Sequence, residues 1–244
     1  MPATVGVLAL QGGFQEHLSL LRRAAPSTAP GLALVEVRTP AELARCDALV
    51  IPGGESTTIS LVAAQSGLLE PLRDFVRVAR KPVWGTCAGA ILLADEANAS
   101  SVKKGGQELI GGLAVRVHRN HFGRQIESFV SDLDLPFLSA PGDPGPAPFP
   151  GVFIRAPVVE AILSPAEDPR GQVEVLAVLP GRKSKAGIAR PSESDAPDEL
   201  GDIVAVRQGN IFATSFHPEL TEDTRIHAWW LGEVIKTKKG VASA

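Results

Sequence analysis

Three short apolar runs each stop at a glycine-bearing turn. Val5–Leu10 (VGVLAL) runs into Gln11-Gly12-Gly13, Ala48–Ile51 (ALVI) into Pro52-Gly53-Gly54, and Pro82–Trp84 (PVW) into Gly85-Thr86-Cys87-Ala88-Gly89. Short uninterrupted apolar runs between turn residues suit strands buried on both faces. A helix-like segment follows each run: Phe14–Ala25, Ser56–Ser66 and Ala90–Ala97. Leu68–Ala79 and the proline-initiated Pro40–Ala44 also read as helices, and Ala33–Val37 as a further strand. This alternation specifies an α/β chain with a mostly parallel central sheet and helices on both faces, a three-layer sandwich.

The second half is richer in strand signals. Val115–Val117, Ile126–Val130, Val152–Ile154, Val173–Leu179, Ile203–Arg207 and Ile211–Ser215 are expected strands, and the compact Gln208-Gly209-Asn210 joins the last two as a hairpin. Asp223–Thr237 reads as the last helix and Lys236–Ala244 as a fraying tail. Five prolines and two glycines in Ser139–Pro150 exclude a regular element there. Pro180–Gly201 is a polar excursion. A chain of 244 residues is expected to be a single domain over 1–244, with loop insertions at 139–150 and 180–201.

Charge narrows the function classes. The chain has 24 Lys+Arg against 27 Asp+Glu, a net −3, which argues against a nucleic-acid binder that relies on a global positive field. Two cysteines make no disulfide framework. No apolar stretch reaches the roughly 18 residues of a membrane span. The start, Met1-Pro2-Ala3-Thr4, lacks a basic leader region. The expectation is a cytoplasmic protein that binds neither membrane nor nucleic acid.

Three local patterns carry chemistry. Gly85-Thr86-Cys87-Ala88-Gly89 is a nucleophile elbow with cysteine in the serine position. Its glycines permit a sharp turn, and the helix start after it attracts negative charge. There the Ala88 N–H points to where an oxyanion forms. The plainer alternative is a small buried cysteine in a tight turn. Ser215-Phe216-His217-Pro218-Glu219 follows a strand directly, so His217 is a candidate base for Cys87, with Glu219 orienting its imidazole. Taken alone, it also reads as a strand-end histidine beside an exposed glutamate. Pro52-Gly53-Gly54-Glu55-Ser56 offers backbone N–H groups to an anion or oxyanion, or simply caps a helix. His17 and His227 read as ordinary helix residues, and no histidine pair has the cluster that a metal needs.

Together with Leu8-Ala9-Leu10-Gln11-Gly12, Gly53-Gly54-Glu55-Ser56-Thr57-Thr58, Arg119-Asn120-His121-Phe122-Gly123-Arg124-Gln125 and Phe153-Ile154-Arg155-Ala156-Pro157, these patterns resemble the triad glutamine amidotransferases. Within that class they resemble the glutaminase subunit of pyridoxal 5′-phosphate synthase, the Pdx2/SNO/PdxT family, over roughly residues 4–235. The resemblance implies a flavodoxin-like, class I amidotransferase sandwich. It implies hydrolysis of L-glutamine to glutamate and ammonia, and delivery of the ammonia to a synthase subunit in a hetero-oligomeric complex. Carried over by motif, Cys87 is the nucleophile, His217 the base and Glu219 its partner, with Gly54 and Ala88 as the oxyanion hole. Gly54, Glu55, Ser56, Arg119, Ile154 and Arg155 line the glutamine site, and Gln11-Gly12 lies where the synthase orders the hole. No cofactor or metal is implied. A glutaminase of another pathway, a cysteine hydrolase of related fold and a binding protein without chemistry are the rival readings.

Overall fold

The protein is described here by a computed structural model covering residues 2–98, 107–119, 128–139, 147–179 and 201–242. Strands β1 (Thr4–Leu8), β2 (Ala33–Val37), β3 (Ala48–Ile51) and β4 (Val83–Thr86) lie in the order β2-β1-β3-β4, all parallel. Side chains alternate across a strand, so each apolar run feeds two cores. Val5, Val7, Ala48, Val50 and Trp84 enter one core, and Leu8, Leu49, Ile51 and Val83 enter the other. Helices α1 (Phe14–Thr28) and α6 (Arg225–Ala242) close the first core with Leu18, Leu21, Trp230 and Val234. Helices α2 (Pro40–Ala44), α3 (Ser56–Gln65), α4 (Leu69–Arg73) and α5 (Ala88–Leu93) close the second with Leu43, Ile59, Leu72 and Ile91. A sheet with apolar residues on both faces requires both layers, as the sequence predicts.

Beyond β4 the sheet turns mixed. β12 (Ile211–Thr214) continues the parallel half, and β11 (Asp202–Gln208) pairs with it antiparallel as the expected hairpin. β9 (Val158–Ile162), β6 (Leu113–His118) and β5 (Ala94–Ala97) extend the sheet to its far edge, and β10 (Glu174–Leu179) also pairs with β11. β7 (Phe129–Leu133) and β8 (Phe149–Phe153) form a separate antiparallel ribbon.

Several expectations need correction. The helix expected over Ala90–Ala97 stops at Leu93, and Ala94–Ala97 is a strand. Alanine favours a helix, but propensity yields to tertiary context, and pairing of Ala94 with Leu113 and Ala97 with Val117 overrides it. The last helix does not fray after Thr237 but runs to Ala242. Lys238 Nζ holds that turn to Asp47 Oδ2 at 2.7 Å and to the Pro2 carbonyl at 3.0 Å. Phe149 and Pro150 belong to β8 rather than to an irregular loop. A ribbon of two strands has only edges, where a missing proline N–H is tolerated. Strand Val158–Ile162 was not anticipated. The remaining loop expectations, at 140–146 and 180–200, fall outside the described residues, as does 120–127. Among the described residues no helix is long and apolar enough to cross a membrane.

Candidate active site

The parallel strands β1, β3, β4 and β12 all end at one edge, and the three glycine turns meet there. Between β4 and α5 stands Cys87 at φ 46° and ψ −100°. A non-glycine residue in the left-handed region costs about 1–3 kcal/mol and persists only where its surroundings enforce it. Here the Cys87 N–H donates to the Thr214 carbonyl at 2.8 Å, and the Cys87 carbonyl accepts from Ile91 N–H at 3.2 Å. The flanking glycines are demanded by space. A Cβ on Gly85 would stand 2.6 Å from the Gly89 backbone, and one on Gly89 would collide with the Ile51 carbonyl. Helix and strand therefore approach closely enough to fix the bend.

His217 follows β12 at the head of the 3-10 turn Pro218–Leu220. Its N–H donates to the Val152 carbonyl at 2.8 Å, tying it to β8. His217 Nδ1 meets Glu219 Oε1 at 2.7 Å, and the Cys87 side chain lies beside the ring. All three side chains are buried. Burial disfavours the imidazolium, but the hydrogen bonds and charges of Cys87 and Glu219 outweigh it and raise the His217 pKa from 6.5 to about 10. Burial likewise disfavours an ionised Glu219, and His17 and His217 outweigh it, holding the carboxyl far below the usual range. The resting arrangement is a protonated His217 held between the Cys87 side chain and an ionised Glu219.

Pro52-Gly53-Gly54 crosses directly over this group. A Cβ on Gly53 would lie 2.7 Å from His217 Nδ1 and 3.3 Å from Cys87 Cβ, so only glycine lets the strand pass. Gly53 N–H donates to Thr86 Oγ1 at 2.9 Å, and its carbonyl accepts from Gly13 N–H at 3.1 Å. Gly54 lies against Gln11, whose Oε1 accepts the Glu55 N–H at 2.8 Å. Gly12, at φ 94°, presses on the Gly53 carbonyl so closely that any side chain would collide. Gln11-Gly12-Gly13 thus grips the strand that carries Gly54.

Glu55, Ser56 and Arg119 gather beside Gly54, at the start of α3. Glu55 caps the helix, with its carboxylate accepting from Thr57 N–H at 3.1 Å and Thr58 N–H at 2.7 Å. Burial raises its pKa, but these bonds and the Thr58 hydroxyl outweigh it and leave the pKa lowered. Ser56 Oγ donates to Gln107 Oε1 at 2.8 Å. Arg119 Nη2 donates to Thr57 Oγ1 at 3.3 Å and stands 3.8 Å from Glu55 Oε1. Ile154 and Arg155 follow β8, and Arg155 is exposed at φ 47°.

The sequence profile of the SNO glutamine amidotransferase family matches residues 7–236. The chain belongs to that family. This amidotransferase is 47% identical to a protein of Arabidopsis thaliana named probable pyridoxal 5′-phosphate synthase subunit PDX2, across 99% of this chain and 89% of the other. It is 47% identical to a Streptomyces avermitilis protein named pyridoxal 5′-phosphate synthase subunit PdxT, across 94% and 93%. It is 41% identical to the Saccharomyces cerevisiae subunit SNO1, across 95% and 92%. A crystal structure described as a glutamine amidotransferase superimposes with a TM-score of 0.70 at 40% identity, covering 95% of this chain and 98% of that one.

Sequence reasoning passed over His17, Thr86, Gln107 and His227. His17 is not an ordinary helix residue: it is fully buried, and its Nε2 stands 3.3 Å from Glu219 Oε2. The signal was present, because Phe14, His17, Leu18 and Leu21 make one i, i+3, i+4, i+7 face. A histidine on an apolar stripe needs a buried partner. His227 sits likewise on the stripe of Trp230, Leu231 and Val234 and is also fully buried.

Proposed function

We propose that this amidotransferase hydrolyses the side-chain amide of L-glutamine through a thioester on Cys87 and passes the ammonia to a pyridoxal 5′-phosphate synthase subunit. One observation carries the chemistry: a strained elbow cysteine, a buried His–Glu pair and a diglycine strand converge at one sheet edge. The naming of its relatives as synthase subunits supports the recipient.

The Cys87 thiolate attacks the amide carbon, and the carbonyl becomes an oxyanion. Gly54 and Ala88 N–H groups receive that charge. The His217 imidazolium gives its proton to the amide nitrogen, the C–N bond breaks and ammonia leaves. Neutral His217 then takes a proton from water as it attacks the thioester. The C–S bond breaks, glutamate leaves, and His217 and Cys87 regain their ion pair. Glu219 keeps Nδ1 protonated throughout, so that Nε2 faces the thiol.

Gly54, Glu55, Ser56, Arg119, Ile154 and Arg155 line the glutamine site in this reading. An arginine fork matches a carboxylate, and an acidic or hydroxyl group matches an ammonium. Gln11-Gly12 is the contact through which the synthase sets the oxyanion strand. We read residues 1–244 as one amidotransferase domain that needs no cofactor or metal. The cytoplasm suits it, because Cys46 and Cys87 are both free thiols.

A chloroketone analogue of glutamine tests the site. It is expected to alkylate Cys87 alone, and L-glutamine is expected to protect it. Labelling of Cys46, or labelling of Cys87 that glutamine leaves unchanged, would contradict the assignment.

A further inference from the structure

Behind the triad lies a second layer of buried polar groups that the proposed chemistry does not use. Glu219 Oε1 is taken by His217. Glu219 Oε2 makes no well-angled hydrogen bond among the described residues and faces His17 Nε2 at 3.3 Å. The same His17 Nε2 is 3.2 Å from Thr86 Oγ1. Its other nitrogen, Nδ1, meets His227 Nε2 at 3.0 Å. The rings pack on Trp84, with centroids 5.4 Å from it for His17 and 4.9 Å for His227. Among the described residues, the titratable groups facing His17 are Glu219, from the turn after β12, and His227, from α6, and β4 presents Thr86 and Trp84 to it.

Proton placement follows from what is buried. Burial pushes the His227 pKa well below 6.5, so that ring is neutral. Its Nδ1 has no partner among the described residues. An orphaned N–H in the interior is rarer than an orphaned acceptor. The hydrogen of His227 therefore belongs on Nε2 and is donated to His17 Nδ1. With Nδ1 accepting, His17 carries its own hydrogen on Nε2, aimed between Glu219 and Thr86. Thr86 Oγ1 also accepts from Gly53 N–H at 2.9 Å. One imidazole thus touches the triad carboxylate, the residue before the elbow cysteine and, through Thr86, the diglycine strand.

We propose that His17, held in one tautomer by His227, is a positioning residue that orients Glu219 and anchors Thr86, and so sets His217 and Gly53-Gly54 together. This rests on the triad reading given above. His17 does not touch substrate. It fixes the second carboxylate oxygen, without which Glu219 turns about its side-chain bonds and releases His217. Groups that orient a catalytic side chain are worth about 10- to 100-fold in activity.

The test uses the full chain in complex with a pyridoxal phosphate synthase subunit, and Cys87→Ala serves as the control for the triad itself. In His17→Leu, kcat for glutamate release is expected to fall about 10- to 100-fold, with KM changed less than about twofold. The acid limb of the pH profile is expected to move up, because Glu219 loses a group that keeps it ionised. His17→Gln retains an N–H within reach of Glu219 and is expected to recover most of kcat and restore the limb. His227→Phe leaves the Glu219 contact in place but frees the tautomer, and is expected to lose activity to a smaller degree with a smaller shift of the limb. Thermal melts and complex formation separate misfolding from mispositioning. If His17→Leu does not fold, His17→Gln and His227→Phe decide. Unchanged kcat and unchanged limb in the folded variants would overturn the proposal, as would a His17→Gln variant no better than His17→Leu. An active Cys87→Ala control would instead overturn the triad reading.

Discussion

At the scale of the residue, the site is governed by groups that alter one another's charge. Cys87 is among the causes that raise the His217 pKa to about 10. Removing the thiol in Cys87→Ala deletes that contribution, so the His217 ring is expected to titrate at a lower pH than in the intact chain. An NMR titration of the histidine rings reads this directly, and an unchanged His217 would show that the thiol does not hold its proton. Glu219→Gln keeps shape but cannot hold the imidazolium, and kcat is expected to fall by about 10²- to 10⁴-fold. Steady-state glutaminase assays check that range. Both partners were visible in the sequence because H-x-E after a strand and G-x-C-x-G before a helix are local spacings. The apolar stripe around His17 signals its burial but not its partners, because Glu219 and His227 are about 200 residues away in the chain.

At the scale of the element, glycines decide how closely strands and helices meet. The Gly89 Cα faces the Ile51 carbonyl with no room for a methyl group. Gly89→Ala is therefore expected to destabilise the chain by about 1–3 kcal/mol, the range for overpacking, and to reduce activity as the elbow shifts. Chemical denaturation and assay of the folded fraction check both halves. Glu55 caps α3 through two backbone N–H groups, so Glu55→Ala is expected to lose about 1 kcal/mol from the cap alone. A rise in KM beyond that loss would report a direct contact with glutamine, and an unchanged KM would confine Glu55 to the helix. The parallel strands were legible because both their faces are apolar. Ala94–Ala97 was not, because its strand state comes from pairing with Leu113–Val117, and four such residues carry no local strand signal. Phe149-Pro150 was hidden for the opposite reason, since a proline-rich stretch masked a short edge strand.

At the scale of the whole molecule, the sheet edge gathers distant segments, and stability is linked to their titration. Raised in the fold, His217 contributes fully below its usual 6.5, and the contribution is lost as pH climbs toward about 10. Lowered in the fold, Glu219 contributes fully above its usual 4.5, and the contribution is lost as pH falls below that value. The stability difference between the intact chain and Glu219→Gln is therefore expected to be largest between 4.5 and 6.5 and to shrink on either side. Melting temperatures across pH check this, and a flat difference would contradict the ionised pair.

The Gln11-Gly12-Gly13 turn grips Gly53 and Gly54, so under the proposed reading a partner docked on that turn acts on the oxyanion strand. Glutamate release from L-glutamine by the purified chain, alone and with a pyridoxal phosphate synthase subunit, tests whether Cys87 chemistry is coupled to the synthase. Weak release is expected from the chain alone, a large rise with the synthase, and none in either condition for Cys87→Ala. Equal release with and without the synthase, or release by Cys87→Ala, would contradict it.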